Sequence, residues 1–96
     1  MSNLKQLKQL RDKVERIDLA IIKKLGQRFK LTKEIQIVKK SLKIPLLQEE
    51  RELKLLEKYT KLGESLEISK GLIVDIYKKV FSYVRKYGNI NRWKNR

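Results

Sequence analysis

Apolar residues recur every three or four positions between Leu4 and Lys40, a segment with no proline and one glycine, Gly26. This spacing is that of one face of an α-helix. The apolar positions on this face are Leu4, Leu7, Leu10, Val14, Ile17, Ile21, Leu25, Ile35 and Val38. The pattern predicts a first helix over about Leu4–Lys40, roughly 55 Å long at 1.5 Å per residue.

A second helix is expected after a break at residues 41–45. Pro45 disfavours helical geometry at Ile44 and suits the start of the next element. Apolar residues at helical spacing then predict a helix over about Leu46–Leu62, and we expect Gly63 to end it.

A third helix is predicted over about Lys70–Tyr87, where the apolar positions are Ile73, Ile76, Tyr77, Val80, Phe81 and Val84. Ser69 can cap its first turn, and Gly88 is expected to stop it. The chain is therefore predicted to be all-α, with three helices, of which the N-terminal one is long. The helical domain would cover residues 1–88, and a basic tail would cover residues 89–96.

The first helix is too long for the other two to cover. Each of those spans roughly 25 to 28 Å, about half the length of the first. An apolar stripe left in water on this scale usually marks an interface, and a symmetric dimer is the commonest way to close one. We therefore expect an intertwined homodimer in which two long helices pair. The alternative is a kink near Gly26 that folds the long helix into two.

Composition narrows the chemistry that this chain can perform. The chain has 96 residues, enough for one domain, and it contains neither cysteine nor histidine. Thiolate chemistry, disulfides and imidazole bases or ligands are thereby excluded, and we expect no metal and no cofactor. Membrane-spanning and signal-peptide patterns are lacking, so we expect a cytoplasmic protein. The formal charge of +14 predicts an anionic partner, such as nucleic acid, a membrane surface or a small polyanion.

Polar side chains occupy or adjoin the apolar faces of the first two helices. They are Arg11, Arg28 and Lys39 on the first helix, and Gln48, Arg51 and Glu52 at the start of the second. The planar fork of arginine can bind both oxygens of a carboxylate, so this set predicts a pocket for a small di-anion that also carries a hydroxyl. The simpler alternative is an ordinary surface, because 25 of the 96 residues are Lys or Arg and their stems can lie along apolar surface.

The order and spacing of these residues resemble those of the all-helical chorismate mutases, whose three-helix chains form intertwined dimers. The resemblance covers about Leu7–Tyr87. The matching segments are Leu10-Arg11-x-x-Val14-x-x-Ile17-Asp18, Arg28, Lys39, Ile44-Pro45, Glu50-Arg51-Glu52 and Leu62-Gly63. Each segment is short, but the joint spacing of the basic residues, in steps of seventeen, eleven and twelve, is considerably more specific.

The resemblance implies a role for each polar side chain. Arg11 would reach into the partner's pocket and bind a substrate carboxylate, and Arg28 would hold a carboxylate from within its own chain. Lys39 would contact a carboxylate and the ether oxygen of the breaking bond. Glu52 would accept a hydrogen bond from the substrate hydroxyl, and Arg51 would support the carboxylate side of the site.

The sequence departs from the family pattern at three positions of the implied site. Gln48 stands where the family often has Asp, and its amide can still hydrogen-bond. Val84 and Gly88 stand where the family usually has a Ser and a Gln or Glu that donates to the ether oxygen. A shift of two residues would place Ser82 and Lys86 there, but it would also move a glycine and an aspartate into core positions. Without that shift, the resemblance implies slow turnover.

The activity implied is that of a chorismate mutase, an isomerase that rearranges chorismate to prephenate in phenylalanine and tyrosine biosynthesis, within the shikimate pathway. The reaction needs no nucleophile, cofactor or metal, so catalysis would depend on orientation and preorganised electrostatics. One alternative is a catalytically weakened, chorismate mutase-like regulatory subunit. Another, which we rank lower, is a basic helical protein that binds nucleic acid through Trp93 and the cations in and just before the tail, namely Arg85, Lys86, Arg92, Lys94 and Arg96.

Overall fold

The computed structural model describes residues 2–45 and 48–87. These residues form three helices and no strand: α1 spans Ser2–Ser41, α2 spans Glu49–Ser65 and α3 spans Lys70–Tyr87. The predicted all-α fold with one long N-terminal helix is thereby confirmed. The alternative in which the long helix folds into two at Gly26 is wrong, because α1 is continuous through that residue. Within the described ranges, no helix has the combined length and apolar character to cross a membrane.

α1 ends in a Schellman motif just before Pro45. The amide of Ile44 donates to the carbonyl of Lys39 at 2.8 Å, and the amide of Lys43 donates to the carbonyl of Lys40 at 3.2 Å. Lys43 takes the left-handed conformation that the motif requires, with φ of 59°. This cap fixes the last turn of α1, where Lys39 and Lys40 also interact favourably with the negative end of the helix dipole.

α2 begins three residues later than the sequence predicts, at Glu49, with Gln48 in the N-cap position. Gln48 has extended backbone angles, φ −128° and ψ 86°, and its side chain makes no capping hydrogen bond. Its carbonyl accepts the amide of Glu52 at 3.1 Å. Acidic residues in the first turn compensate, because negative charge is stabilised near a helix N-terminus. The two leucines of the predicted start lie outside the described residues.

The end of α2 corrects the role expected of Gly63. The helix continues to Ser65, and it is Glu67, with φ of 62°, that takes the left-handed position of a second Schellman motif. In that motif the amide of Ile68 donates to the carbonyl of Gly63 at 2.8 Å. Gly63 itself is buried, and a Cβ placed on it would lie 2.8 Å from Cγ1 of Ile73. Glycine is required here for close packing between two helices, not for a left-handed turn.

α3 has the predicted bounds, Lys70–Tyr87. Ser69 caps it as expected, since its Oγ accepts the amide of Leu72 at 3.2 Å. Local signals alone therefore located this helix correctly, because its start depends on one capping side chain and its length on one apolar repeat.

α2 and α3 pack together and carry the buried core of the described residues. The ring of Tyr77 lies between those of Tyr59 and Phe81, at centroid distances of 4.6 and 6.0 Å and in tilted orientations. Each such contact contributes about 0.5–1.5 kcal/mol to stability beyond the effect of burying apolar surface. Val80 and Phe81 are the buried apolar side chains, and the hydroxyl of buried Thr60 donates to a carbonyl one turn earlier at 3.0 Å.

The described residues divide into two compact units, one ending at Leu31 and the other beginning at Thr32. The first unit is the N-terminal part of α1, and its apolar face is exposed: Leu10, Val14 and Ile17 are 50, 58 and 60% exposed. The second unit contains the last turns of α1 together with α2 and α3.

Two faces of α1 differ in the exposure and the polarity of their side chains. The apolar face stays exposed as far as the last turns, where Ile35 and Val38 are 50 and 53% exposed. The face that is half-buried or buried consists of Leu25, Arg28, Phe29, Thr32, Lys33, Gln36 and Lys39. Most of these side chains are polar, and they recur at helical spacing. We call this set the polar face of α1.

Gly63→Ala is expected to destabilise the chain by about 1–3 kcal/mol, because the added methyl overlaps the side chain of Ile73 and forces the two helices apart. Gly71→Ala is the matched control, since a Cβ there meets nothing within 4 Å. It should leave stability unchanged or raise it by up to about 1 kcal/mol, through helix propensity. Urea unfolding of both variants measures the difference, and equal effects of the two would contradict the close approach at Gly63.

Candidate active site

One turn of α3 is joined to both other helices of the second unit. Nε2 of Gln36, on α1, donates to the backbone carbonyl of Val84 at 3.2 Å. On the following residue, Nη1 of Arg85 donates to Oε2 of Glu52, on α2, at 2.5 Å. We call these four residues the α3 junction. Because two consecutive residues of α3 make these contacts, the junction fixes Glu52 relative to the end of α1.

Gln36 is the buried residue of α1, with 6% of its surface exposed. Its bond to Val84 orients the amide, and this leaves Oε1 buried with no hydrogen-bond partner among the described residues. An unpaired buried acceptor costs on the order of 1–3 kcal/mol. The polar face of α1 therefore holds a buried acceptor that no described residue satisfies.

The three basic residues predicted on α1 have different surroundings. Arg11 is exposed, in the first unit. Arg28, also in the first unit, is half-buried, and its Nη1 is shielded from solvent. Lys39 is half-buried in the second unit, in the turn that the Schellman motif fixes. Partial burial of a cation strengthens its attraction for an anion, because less water lies between the two charges to screen them.

Gln48 and Arg51 lie at the surface. Together with Glu49, Glu50 and Lys54 they border an open depression of ≈ 470 Å³. All five residues belong to the start of α2 or to its N-cap, so the depression is a surface feature of one helix. Glu52, on the same turn, is half-buried and points to α3 instead.

The third helix meets the junction at one of the two positions named by the resemblance, Val84. Val84 is half-buried, and its only polar contribution to the junction is its backbone carbonyl. Gly88 lies outside the described residues, as does the tail over residues 89–96. Ser82, which a shifted alignment would use, is exposed and borders a separate surface depression with Asp75 and Lys79.

Sequence reasoning missed two residues of the α3 junction. Gln36 follows Arg28 by eight residues and precedes Lys39 by three, so helical spacing alone could have placed it on their face. Arg85 was grouped with the basic tail, whereas it lies within α3 and pairs with Glu52. No local pattern predicts that pair, because it depends on how α2 and α3 pack. Among the described residues, no acidic cluster is suited to holding a metal ion.

Comparison with known proteins gives these positions a family context. A sequence model of the family described as chorismate mutase type II matches residues 10–89. The chain is also 33% identical over 84 residues to a bifunctional chorismate mutase/prephenate dehydratase of Aquifex aeolicus (strain VF5). That match covers 82% of this chain but 23% of the relative, so the chain spans less than a quarter of that protein's length. No solved structure matches significantly. On the family match, the chain belongs to the chorismate mutase type II family.

Proposed function

We propose that this protein is a chorismate mutase, which converts chorismate to prephenate by positioning the di-anion electrostatically. The family match over residues 10–89 supports the reaction class. The observation that carries the proposal is the polar face of α1, on which Arg28, Gln36 and Lys39 are partly or fully withdrawn from water while apolar residues stay exposed. Partial burial of cations favours the binding of an anion at that face, because less water lies between the charges to screen them.

The proposed mechanism uses this face for orientation and charge stabilisation. Chorismate is a flexible di-acid with an ether bond and a hydroxyl, and it must adopt a compact conformation before the bonds exchange. Arg28 holds one carboxylate, and Lys39 contacts a carboxylate and the ether oxygen, where negative charge develops. Glu52 accepts a hydrogen bond from the hydroxyl. Such positioning supplies most of what a unimolecular rearrangement requires.

The remaining predicted residues have supporting roles in this proposal. Gln48 and Arg51 form the outer, solvent-exposed margin of the site, with Arg51 on the carboxylate side. Val84 supplies no side-chain donor to the ether oxygen, and Gly88 has no side chain to supply one. One missing donor of this kind lowers the rate by about 10²–10³-fold. We therefore expect slow turnover, which is also what favours the second candidate, a catalytically weakened regulatory subunit.

The proposed catalytic unit is an intertwined homodimer in which Arg11 completes the site of the other chain. The support is the apolar face of α1, which is exposed in the single chain and contains Leu7, Leu10, Val14, Ile17, Ile21, Leu31, Ile35 and Val38, each at least 42% exposed. A contiguous apolar stripe of this length is typical of a protein interface. Arg11 lies beside this stripe and is itself exposed, so a pairing of two long helices would carry it to the partner.

Lys39→Ala and Arg28→Ala are each expected to lower kcat/KM by about 10²–10³-fold, because each removes one preorganised cation from the site. Lys40→Ala is the matched control: Lys40 carries the same charge in the same turn of α1 but is exposed. It should change kcat/KM by less than about twofold. The measurement is the loss of chorismate with purified protein. Equal losses in Lys39→Ala and Lys40→Ala would contradict a specific site, and no turnover in the wild type at high enzyme concentration would contradict the stand-alone enzyme.

Mixing two inactive variants tests whether Arg11 acts across the dimer. Arg11→Ala and Arg28→Ala should each be nearly inactive alone, because every site in either homodimer lacks one arginine. After co-refolding, half of the dimers are mixed, and each mixed dimer has one intact site, so about a quarter of wild-type activity should return. Light scattering should show dimers throughout. Failure to recover activity in verified mixed dimers would contradict the donation of Arg11.

A further inference from the structure

The ion pair between Arg85 and Glu52 differs from the other ion pairs of α2. Lys54 pairs with Glu50, and Lys61 pairs with Glu57, each between neighbours one turn apart, with side chains 70–87% exposed. Ion pairs of that kind contribute little to stability, because water screens the two charges. The Arg85–Glu52 pair instead joins two helices, with the two side chains 38% and 27% exposed. Its partial shielding and short contact make it a candidate for a specific role.

The contact uses one oxygen of the carboxylate and one nitrogen of the guanidinium. Nη1 of Arg85 donates to Oε2 of Glu52, so this contact does not use Oε1. An ionised carboxylate has about four acceptor positions on its two oxygens. The pair therefore holds the carboxylate in one orientation and leaves Oε1 open to a further donor.

We propose that Arg85 is a positioning residue for Glu52: it holds Oε2 so that Oε1 accepts the substrate hydroxyl, and it neutralises the carboxylate beside a di-anion. This inference rests on the proposed function. The substrate carries two negative charges, and an unpaired carboxylate next to it would repel it. A Glu side chain that is held before binding also loses less conformational freedom when the hydroxyl arrives.

The position of Arg85 in α3 supports this role. It directly follows Val84, whose carbonyl is bound by Gln36, so its backbone is fixed by a contact to α1. α3 provides no polar side chain at Val84, and Arg85 is the next residue along the helix. The third helix thus takes part in the site through an arginine that acts on Glu52, not through a donor to the ether oxygen.

Arg85→Gln is expected to raise KM about tenfold and to change kcat less than about threefold, because the hydroxyl contact is present in both the ground state and the transition state. Arg85→Lys keeps the charge and should recover most of the wild-type KM. Lys79→Gln is the matched control, since it removes one positive charge from an exposed position of the same helix. The control variant should have a KM within about twofold of the wild-type value. A control variant with the same rise in KM would overturn the proposal.

Two di-acid inhibitors that differ only in the presence of the hydroxyl separate positioning from general structural support. Arg85→Gln should weaken the binding of the hydroxylated inhibitor about tenfold more than the binding of the inhibitor without the hydroxyl. Equal weakening of both would overturn the proposal, because it would mean that Arg85 binds a carboxylate or supports the fold. In a Glu52→Gln background, adding Arg85→Gln should have no further effect, and an undiminished effect there would overturn the proposal as well.

These outcomes are distinct from a failure of the proposed function. Turnover by the wild type tests the chorismate mutase activity and does not depend on Arg85. Absence of turnover with retained inhibitor binding would overturn the activity, while the inhibitor pair would still test the positioning of Glu52. Normal turnover with an unchanged KM in Arg85→Gln would overturn the role of Arg85 alone.

Discussion

The hydrogen bond between the buried amide of Gln36 and the carbonyl of Val84 is the constraint on which the arrangement of the site depends. α2 and α3 associate through apolar contacts and the close approach at Gly63, which would tolerate small sliding movements. This hydrogen bond is directional, so it aligns the last turns of α1 with the turn of α3 that carries Val84. With that register set, the next residue, Arg85, meets Glu52. This contact and the Arg85–Glu52 pair therefore involve neighbouring residues of one turn of α3.

The two faces of α1 reverse the usual arrangement of a helix. Its covered face carries Arg28, Gln36 and Lys39 beside Leu25 and Phe29, while most of its large apolar residues are exposed. Burying polar groups and exposing apolar groups are both unfavourable, so a single chain carries two costs at once. A partner chain on the apolar face and a di-anion on the polar face would offset one cost each. In that case the sequence of α1 would determine both dimer assembly, through its apolar face, and substrate binding, through its polar face.

The proposed site departs on α3 from the pattern that the resemblance implies, and the contacts of α3 indicate a different distribution of charge. The cations of α1 would face the substrate directly, whereas the cation of α3 is engaged by Glu52. A carboxylate can remain in a site built for a di-anion only if its own charge is compensated. The loss of neutral donors at Val84 and Gly88 and the pairing of Arg85 would then have separate effects. In the proposed site, the first would lower the rate of the chemical step, and the second would preserve recognition of the hydroxyl.

The sequence by itself determined the elements and the candidate residues on α1. Periodicity predicted three helices, the Ser69 cap located the start of α3, and the spacing of Arg28 and Lys39 placed both on one face. These signals are local, since capping and helical repeats involve residues only a few positions apart. Only the tertiary structure decided that Gly63 serves packing, that Gln36 joins α1 to α3, and that Arg85 belongs with Glu52 and not with the tail. Each of these depends on the distance between residues of different helices, and that distance is set by packing, which no pattern within one helix encodes.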